Sequence, residues 1–240
     1  MFLVIKLKKL ICIAAIVLAV IAAVIILFRV LEAPASRETF SGETNAVLLV
    51  IDPGHGGEDG GAVSASGLKE SEINLEISLK LRDISRFCGF DTVMTRDSEH
   101  IKYPESATTI AAKKVADQHS RVELINSAQN ALLVSIHQNK FPDIRPQGSQ
   151  VLYAPTQGSQ LLGELTHQNL IAALYPENRR VAVPAPDNIY LMRSINCPGI
   201  LVECGFISNP DELKKLTDNS YQLKLAAVIF SSCCQYLQMI

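Results

Sequence analysis

The sequence predicts an α/β fold: a mixed, largely parallel sheet flanked by helices. Three observations predict it. A continuous apolar run at 46–51 and apolar stretches at 131–136 and 199–202 read as buried strands, as in parallel sheets covered by helices. Between the first two runs, Ile73, Ile77, Leu81 and Ile84 recur at helical spacing. Polar, glycine-bearing motifs fall where the strands stop, the edge at which open α/β sheets hold their ligands.

Taken in order, the chain opens with an address. Lys6, Lys8 and Lys9 precede an unbroken apolar run at 10–28, closed by Arg29. That length matches the ~20 residues a helix needs to cross a bilayer, and the lysines favour a cytoplasmic N-terminus. Residues 1–30 are therefore expected to be a transmembrane anchor that leaves the rest of the chain outside the cytoplasm. The rival expectation is a signal peptide cut near Ala33-Pro34-Ala35 and a secreted product, although a signal peptide's apolar core is usually ~7–15 residues. Residues 31–45 are small and polar and read as a linker. One folded domain is expected at 46–240.

Within it, the strand at 46–51 is stopped by Asp52-Pro53-Gly54. A helix is expected over about 69–87, ended by Gly89, then a strand at 90–95 and a helix at 122–129. Strands at 131–136 and 150–154 follow, and a helix at 161–174 is ended by Pro176. After the buried strand at 199–202, helices at 210–216 and 221–237 close the chain.

Composition narrows the function. A net charge of −2 gives no reason to expect a nucleic-acid partner. Cys12 lies in the apolar N-terminus. Cys88, Cys197, Cys204, Cys233 and Cys234 show neither zinc-finger nor C-x-x-C spacing, and they are expected to be mostly buried thiols.

Four motifs carry chemistry. Asp52-Pro53-Gly54-His55-Gly56-Gly57 follows the first strand, and Lys69-Glu70 opens the first helix. Ser135-Ile136-His137-Gln138-Asn139 ends the third strand, and Val202-Glu203-Cys204-Gly205-Phe206 ends the last one. Two histidines and two carboxylates are thus expected to converge at one sheet edge. Catalytic zinc commonly takes three N/O ligands and leaves a position for water, and a carboxylate that does not bind the metal must then carry the proton. Glycines beside His55 would let metal and substrate approach the backbone. Each residue also has a plainer use: His137 as a satisfied core histidine, Glu70 as an acid favoured by a helix N-terminus. Glu203 resists that treatment, because an unpaired carboxylate after an apolar run is costly to bury.

These motifs resemble the zinc-dependent N-acetylmuramoyl-L-alanine amidases of the amidase-3 family. The matching landmarks are I-D-P-G-H-G-G-x-D-G-G-A at 51–62, G-L-K-E at 67–70, T-R at 95–96, R-V-E-L-I-N at 121–126, S-I-H-Q-N at 135–139 and L-V-E-C-G-F-I-S-N-P at 201–210. The resemblance implies that His55, Glu70 and His137 bind Zn2+ at the carboxyl ends of the strands and that Glu203 is the catalytic carboxylate. His55 and Glu58 also spell H-x-x-E, a zinc carboxypeptidase ligand pair, with Glu58 in place of Glu70. The family pattern places its ligand after G-L-K and so favours Glu70.

Within the family the chain is most similar to spore-cortex amidases of the CwlD type, through its single anchor, bare domain and the phrase S-I-H-Q-N-x-F-P at 135–142. That likeness implies cleavage of peptide stems from muramic acid, so that a separate deacetylase completes muramic-δ-lactam. It implies as partners the peptidoglycan glycan strand with its stems, the membrane, and a spore-envelope protein, with the domain in the space around the forespore. The competing expectations are a vegetative cell-wall amidase, a zinc carboxypeptidase using Arg193 as its carboxylate clamp, and a metal-dead wall-binding module.

Overall fold

The computed structural model describes residues 47–240. The expected anchor and linker lie outside them, and so does the first residue of the expected domain. Among the described residues no helix is long and apolar enough to cross a membrane.

Strand β1 (Leu48–Pro53) leads through a glycine-rich loop to helix α1 (Glu70–Phe87) and strand β2 (Thr92–Met94). Helix α2 (Ile110–Ser127) precedes β3 (Ala131–Asn139) and β4 (Gln150–Tyr153). Helix α3 (Ser159–Leu174), the two-residue β5 (Val183–Pro184) and the short α4 (Tyr190–Ser194) come next. Strand β6 (Gly199–Phe206), α5 (Pro210–Leu216) and α6 (Asn219–Met239) finish the chain. The six strands lie in the order β2-β1-β3-β6-β4-β5. The first four in that order run parallel, β4 is antiparallel to β6, and β5 is parallel to β4. The mixed, largely parallel sheet is the expected one.

Side-chain alternation along the central strands builds two cores. Leu49, Ile51, Val134 and Val202 pack with Ile73 and Ile77 of α1, Leu162 of α3 and Ile229 of α6. Val50, Leu133 and Leu201 pack on the other face with Ile125 of α2 and Leu191 and Met192 of α4. Asp52, Ser135, His137 and Glu203 stand in step with that second set, so the polar groups at the strand ends emerge on the α2–α4 side.

Several bounds differ from expectation, each for a physical reason. β3 and β6 run on past their apolar cores, because parallel pairing continues through His137↔Glu203 and Asn139↔Phe206. Backbone pairing does not depend on the side chain being apolar. Helix α2 begins twelve residues before the expected 122, since its first half buries almost nothing: its buried residues are Arg121 and Ile125. β2 is shorter than expected, and β5 and α4 had no apolar period to announce them. Of the five cysteines, Cys197, Cys204 and Cys233 are buried, Cys234 is half-buried, and Cys88 at the end of α1 is exposed.

Candidate metal centre

The carboxyl ends of β1, β3 and β6 meet the N-terminus of α1, and there the three expected ligands come together. His55, Glu70 and His137 each offer one ligand atom within 4.8 Å of the others. His55 Nε2 lies 3.4 Å from Glu70 Oε2, and His137 Nδ1 lies 3.0 Å from Glu70 Oε1. The imidazoles stand edge to face, with ring centroids 4.9 Å apart.

Glu70 is the most constrained member. Its Oε2 accepts from the Ala62 backbone N–H at 2.9 Å, and its Oε1 from the Gln138 N–H at 3.0 Å. Asn74, one turn along α1, donates to Oε1 at 3.3 Å and to the Gly54 carbonyl at 3.0 Å. Burial would raise the Glu70 carboxyl, but His137 and His55 outweigh it and hold it far below the usual carboxylate range. For His55, burial pulls the other way, and its bonds to Asp59 and Glu70 lift it to about 9.

Two of the glycines make room for the ligands. A Cβ on Gly54 would collide with the His137 ring, and one on Gly61 would lie 2.6 Å from Glu70 Oε2 and 2.7 Å from the His55 ring. His55 itself sits at φ 61, a left-handed conformation that few residues other than glycine adopt. Two buried arginines hold that strained loop by its carbonyls. Arg121 donates to Pro53 O at 2.8 Å and His55 O at 2.6 Å, and Arg96 to Pro53 O at 3.0 Å and Gly54 O at 3.1 Å. Asp52 anchors Arg121 at 2.7 Å and accepts from the hydroxyls of Thr95 and Ser135, each at 2.6 Å. Burial would raise the Asp52 carboxyl; Arg121 and the two hydroxyls hold it down to about 2. The T-R and R-V-E-L-I-N landmarks thus have a job that sequence reasoning had not assigned. Asp59, 3.0 Å from His55 Nδ1, was missed as well. Its signal was the acidic letter within the first glycine-rich landmark.

Glu203 pairs in register with His137 and lines the same cleft, whose volume is about 720 Å³. Among the described residues its Oε2 is buried without a hydrogen-bond partner. Burial pushes its carboxyl up to about 7, against the pull of His137. Glu58 stands apart from the cluster: it is exposed and paired with Lys113 at 2.9 Å. Arg193 lies over the Tyr190 ring and is absent from the residues that line the cleft. Neither supports the carboxypeptidase expectation.

Known proteins resemble this chain in sequence and in fold. A family profile described as N-acetylmuramoyl-L-alanine amidase matches residues 49–234. The chain is 34% identical over 190 residues to the germination-specific N-acetylmuramoyl-L-alanine amidase of Bacillus subtilis, covering 79% of each. It is 31% identical over 191 residues to the B. subtilis amidase LytC, covering 78% of this chain and 35% of LytC. The solved structure of the CwlD amidase from Clostridioides difficile, in complex with the GerS lipoprotein, superposes with a TM-score of 0.77 at 35% identity. It covers 80% of this chain and 99% of that one.

Proposed function

The chain belongs to the N-acetylmuramoyl-L-alanine amidase family and is a hydrolase of the bond between muramic acid and L-alanine in peptidoglycan; from that premise we propose that it works as a zinc enzyme of the spore cortex. The observation that carries the zinc reading is the convergence of His55, Glu70 and His137 beside a carboxylate, Glu203, whose buried Oε2 has no hydrogen-bond partner among the described residues. Two imidazole nitrogens and one carboxylate form a donor set suited to catalytic zinc. The fit extends outward, since Asp59 orients His55 and two backbone N–H groups orient Glu70.

When bound, zinc supplies Lewis-acid polarisation of the amide carbonyl and lowers the pKa of water at that point. The rest is the work of the chain. Glu70 is held by the Ala62 and Gln138 N–H groups and would hold the metal with its remaining lone pairs, which leaves proton transfer to another carboxylate. Glu203 is free to take the proton of the attacking water and return it to the amine of L-alanine as the C–N bond breaks. Burial raises that carboxyl in the metal-free chain, and a bound cation would draw it back down.

The cortex assignment is supported by likeness to the germination-specific amidase and to CwlD. On this reading the enzyme bares muramic acid so that a separate deacetylase can close the δ-lactam. The GerS complex of that relative supports a lipoprotein-type partner here. The lysine-flanked apolar run at 10–28 supports an uncleaved anchor, with the domain facing the space around the forespore.

Digestion of purified cortex peptidoglycan, read by mass spectrometry, tests the activity and the ligand set together. Intact stems and bare muramic acid are expected from the wild type and from Glu58→Ala. Glu70→Ala, His55→Ala and His137→Ala should lose both bound zinc and release of stems. Shortened stems would make the enzyme a carboxypeptidase, and a zinc-free Glu58→Ala would return the H-x-x-E pair.

A further inference from the structure

The cleft has two unlike walls. One is a face of α2 that carries Lys114 and Gln118; the other is the segment with Asn188 and Tyr190. Sugar rings are usually held on open aromatic faces, and here the aromatic group is already occupied. His119 stacks on Tyr190 with centroids 5.2 Å apart, and the Arg193 guanidinium lies 5.3 Å from the same ring. What remains on the two walls is the amides of Gln118 and Asn188, the apolar Val115 and Ile189, and the Lys114 cation, a mixture that suits a peptide.

Among the described residues two lysines or arginines line the cleft, Lys114 and Arg121. Arg121 is buried and spent on Asp52, Asp117 and the loop carbonyls. Lys114 is different: its side chain is 51% exposed, and its single ion pair is with Asp59 at 2.9 Å. Asp59 in turn holds His55 Nδ1. Lys114 Nζ is thus separated from the far nitrogen of His55 by two hydrogen-bond lengths and one ring, roughly 8 Å at most. Two residues of extended peptide reach about 7 Å.

We propose that the cleft between α2 and α4 receives the peptide stem, and that Lys114 pairs there with the free α-carboxylate of the second stem residue. This rests on the amidase reading above. The scissile nitrogen belongs to the first stem residue, L-alanine. The second is a γ-linked glutamate, whose α-carboxyl is either free or amidated, and it falls within reach of Lys114. The ammonium has three donors, so it can engage a substrate carboxylate while keeping Asp59. The same pairing joins substrate recognition to the carboxylate that orients His55.

The test uses the full-length chain and two disaccharide-tetrapeptides that differ only in that α-carboxyl, one free and one amidated. A charge-assisted hydrogen bond predicts a preference for the free acid of at least about tenfold in kcat/KM, carried by KM. Lys114→Gln should bring the ratio close to one by raising KM for the free acid, and Lys114→Arg should keep the preference. Equal cleavage of the two substrates by the wild type overturns the proposal without recourse to any variant. So does a Lys114→Gln enzyme that keeps the preference, or one that loses kcat equally on both substrates, which would confine Lys114 to positioning His55 through Asp59. Failure of the wild type to cut either substrate would instead sink the amidase reading itself.

Discussion

Glu70 and Glu203 are the same side chain in opposite surroundings, and the difference divides their labour. Backbone and side-chain donors surround Glu70 and keep it ionised, ready to face a cation. Among the described residues Glu203 Oε2 has no donor, and burial raises its carboxyl to about 7, so in the metal-free protein it exchanges its proton near neutral pH. Glu203→Gln should therefore retain zinc while losing ~10²–10⁴-fold in turnover, the usual worth of general acid–base catalysis, mainly in kcat. Zinc content and rate measured on one preparation decide it, and loss of zinc would make Glu203 a ligand. The same residue sets a pH signature in metal-free protein. Unfolded, its carboxyl ionises near 4.5; folded, near 7. Between those values the folded state binds the extra proton, so stability falls as pH rises, by up to about 3 kcal/mol. Thermal melts from pH 5 to 8 should show that decline in the wild type and a flatter profile in Glu203→Gln. Parallel profiles would mean that Glu203 is not desolvated.

At the scale of elements, the motif that ends β6 also begins the next helix. Asn209 caps α5, accepting from the N–H groups of Asp211 and Glu212 at 2.9 and 3.2 Å, and Pro210 takes the first helical position. Its amide also donates to Pro146 O at 3.2 Å, and buried Glu212 accepts from Gly148 N–H at 2.8 Å. This short helix therefore fastens the loop that leads into β4. Asn209→Ala should lower unfolding stability by ~1–2 kcal/mol, measured by denaturant titration, and leave the rate at low temperature close to normal because Asn209 does not line the cleft. A large loss of rate with unchanged stability would instead give S-N-P a part in the chemistry. Helix α2 makes the complementary point. Its C-terminal half supplies Arg121 to the loop beneath, and its exposed N-terminal half becomes a wall of the cleft.

For the whole molecule, the two faces of the sheet have different duties. One is covered by α1, α3 and α6 in a broad apolar core. The other carries a smaller core under α2 and α4, and opens at the strand ends into the cleft. The remaining prediction concerns the chain beyond the described residues. Full-length protein should fractionate with membranes, with the domain accessible to protease added from outside the cytoplasm. A soluble species that begins near Ser36 would show a cleaved signal peptide instead.

The sequence by itself determined the α/β class, the succession of the main strands along the chain, and the placement of His55, Glu70, His137 and Glu203 where strands stop or a helix starts. Those signals are local: an apolar run, a helical period, and a polar residue where such a run stops. It could not reveal that Glu70 and Glu203 would be prepared so differently, because that depends on donors 8 and 68 residues from Glu70, Ala62 and Gln138. It did not mark the first half of α2, which buries too little to leave an apolar period. Nor did it show that Arg96 and Arg121 brace the His55 loop, since an arginine that meets carbonyls 42 to 68 residues away looks like a surface charge in the linear chain. Tertiary structure decided these matters because burial and hydrogen-bond partnership belong to pairs of groups that only folding brings together.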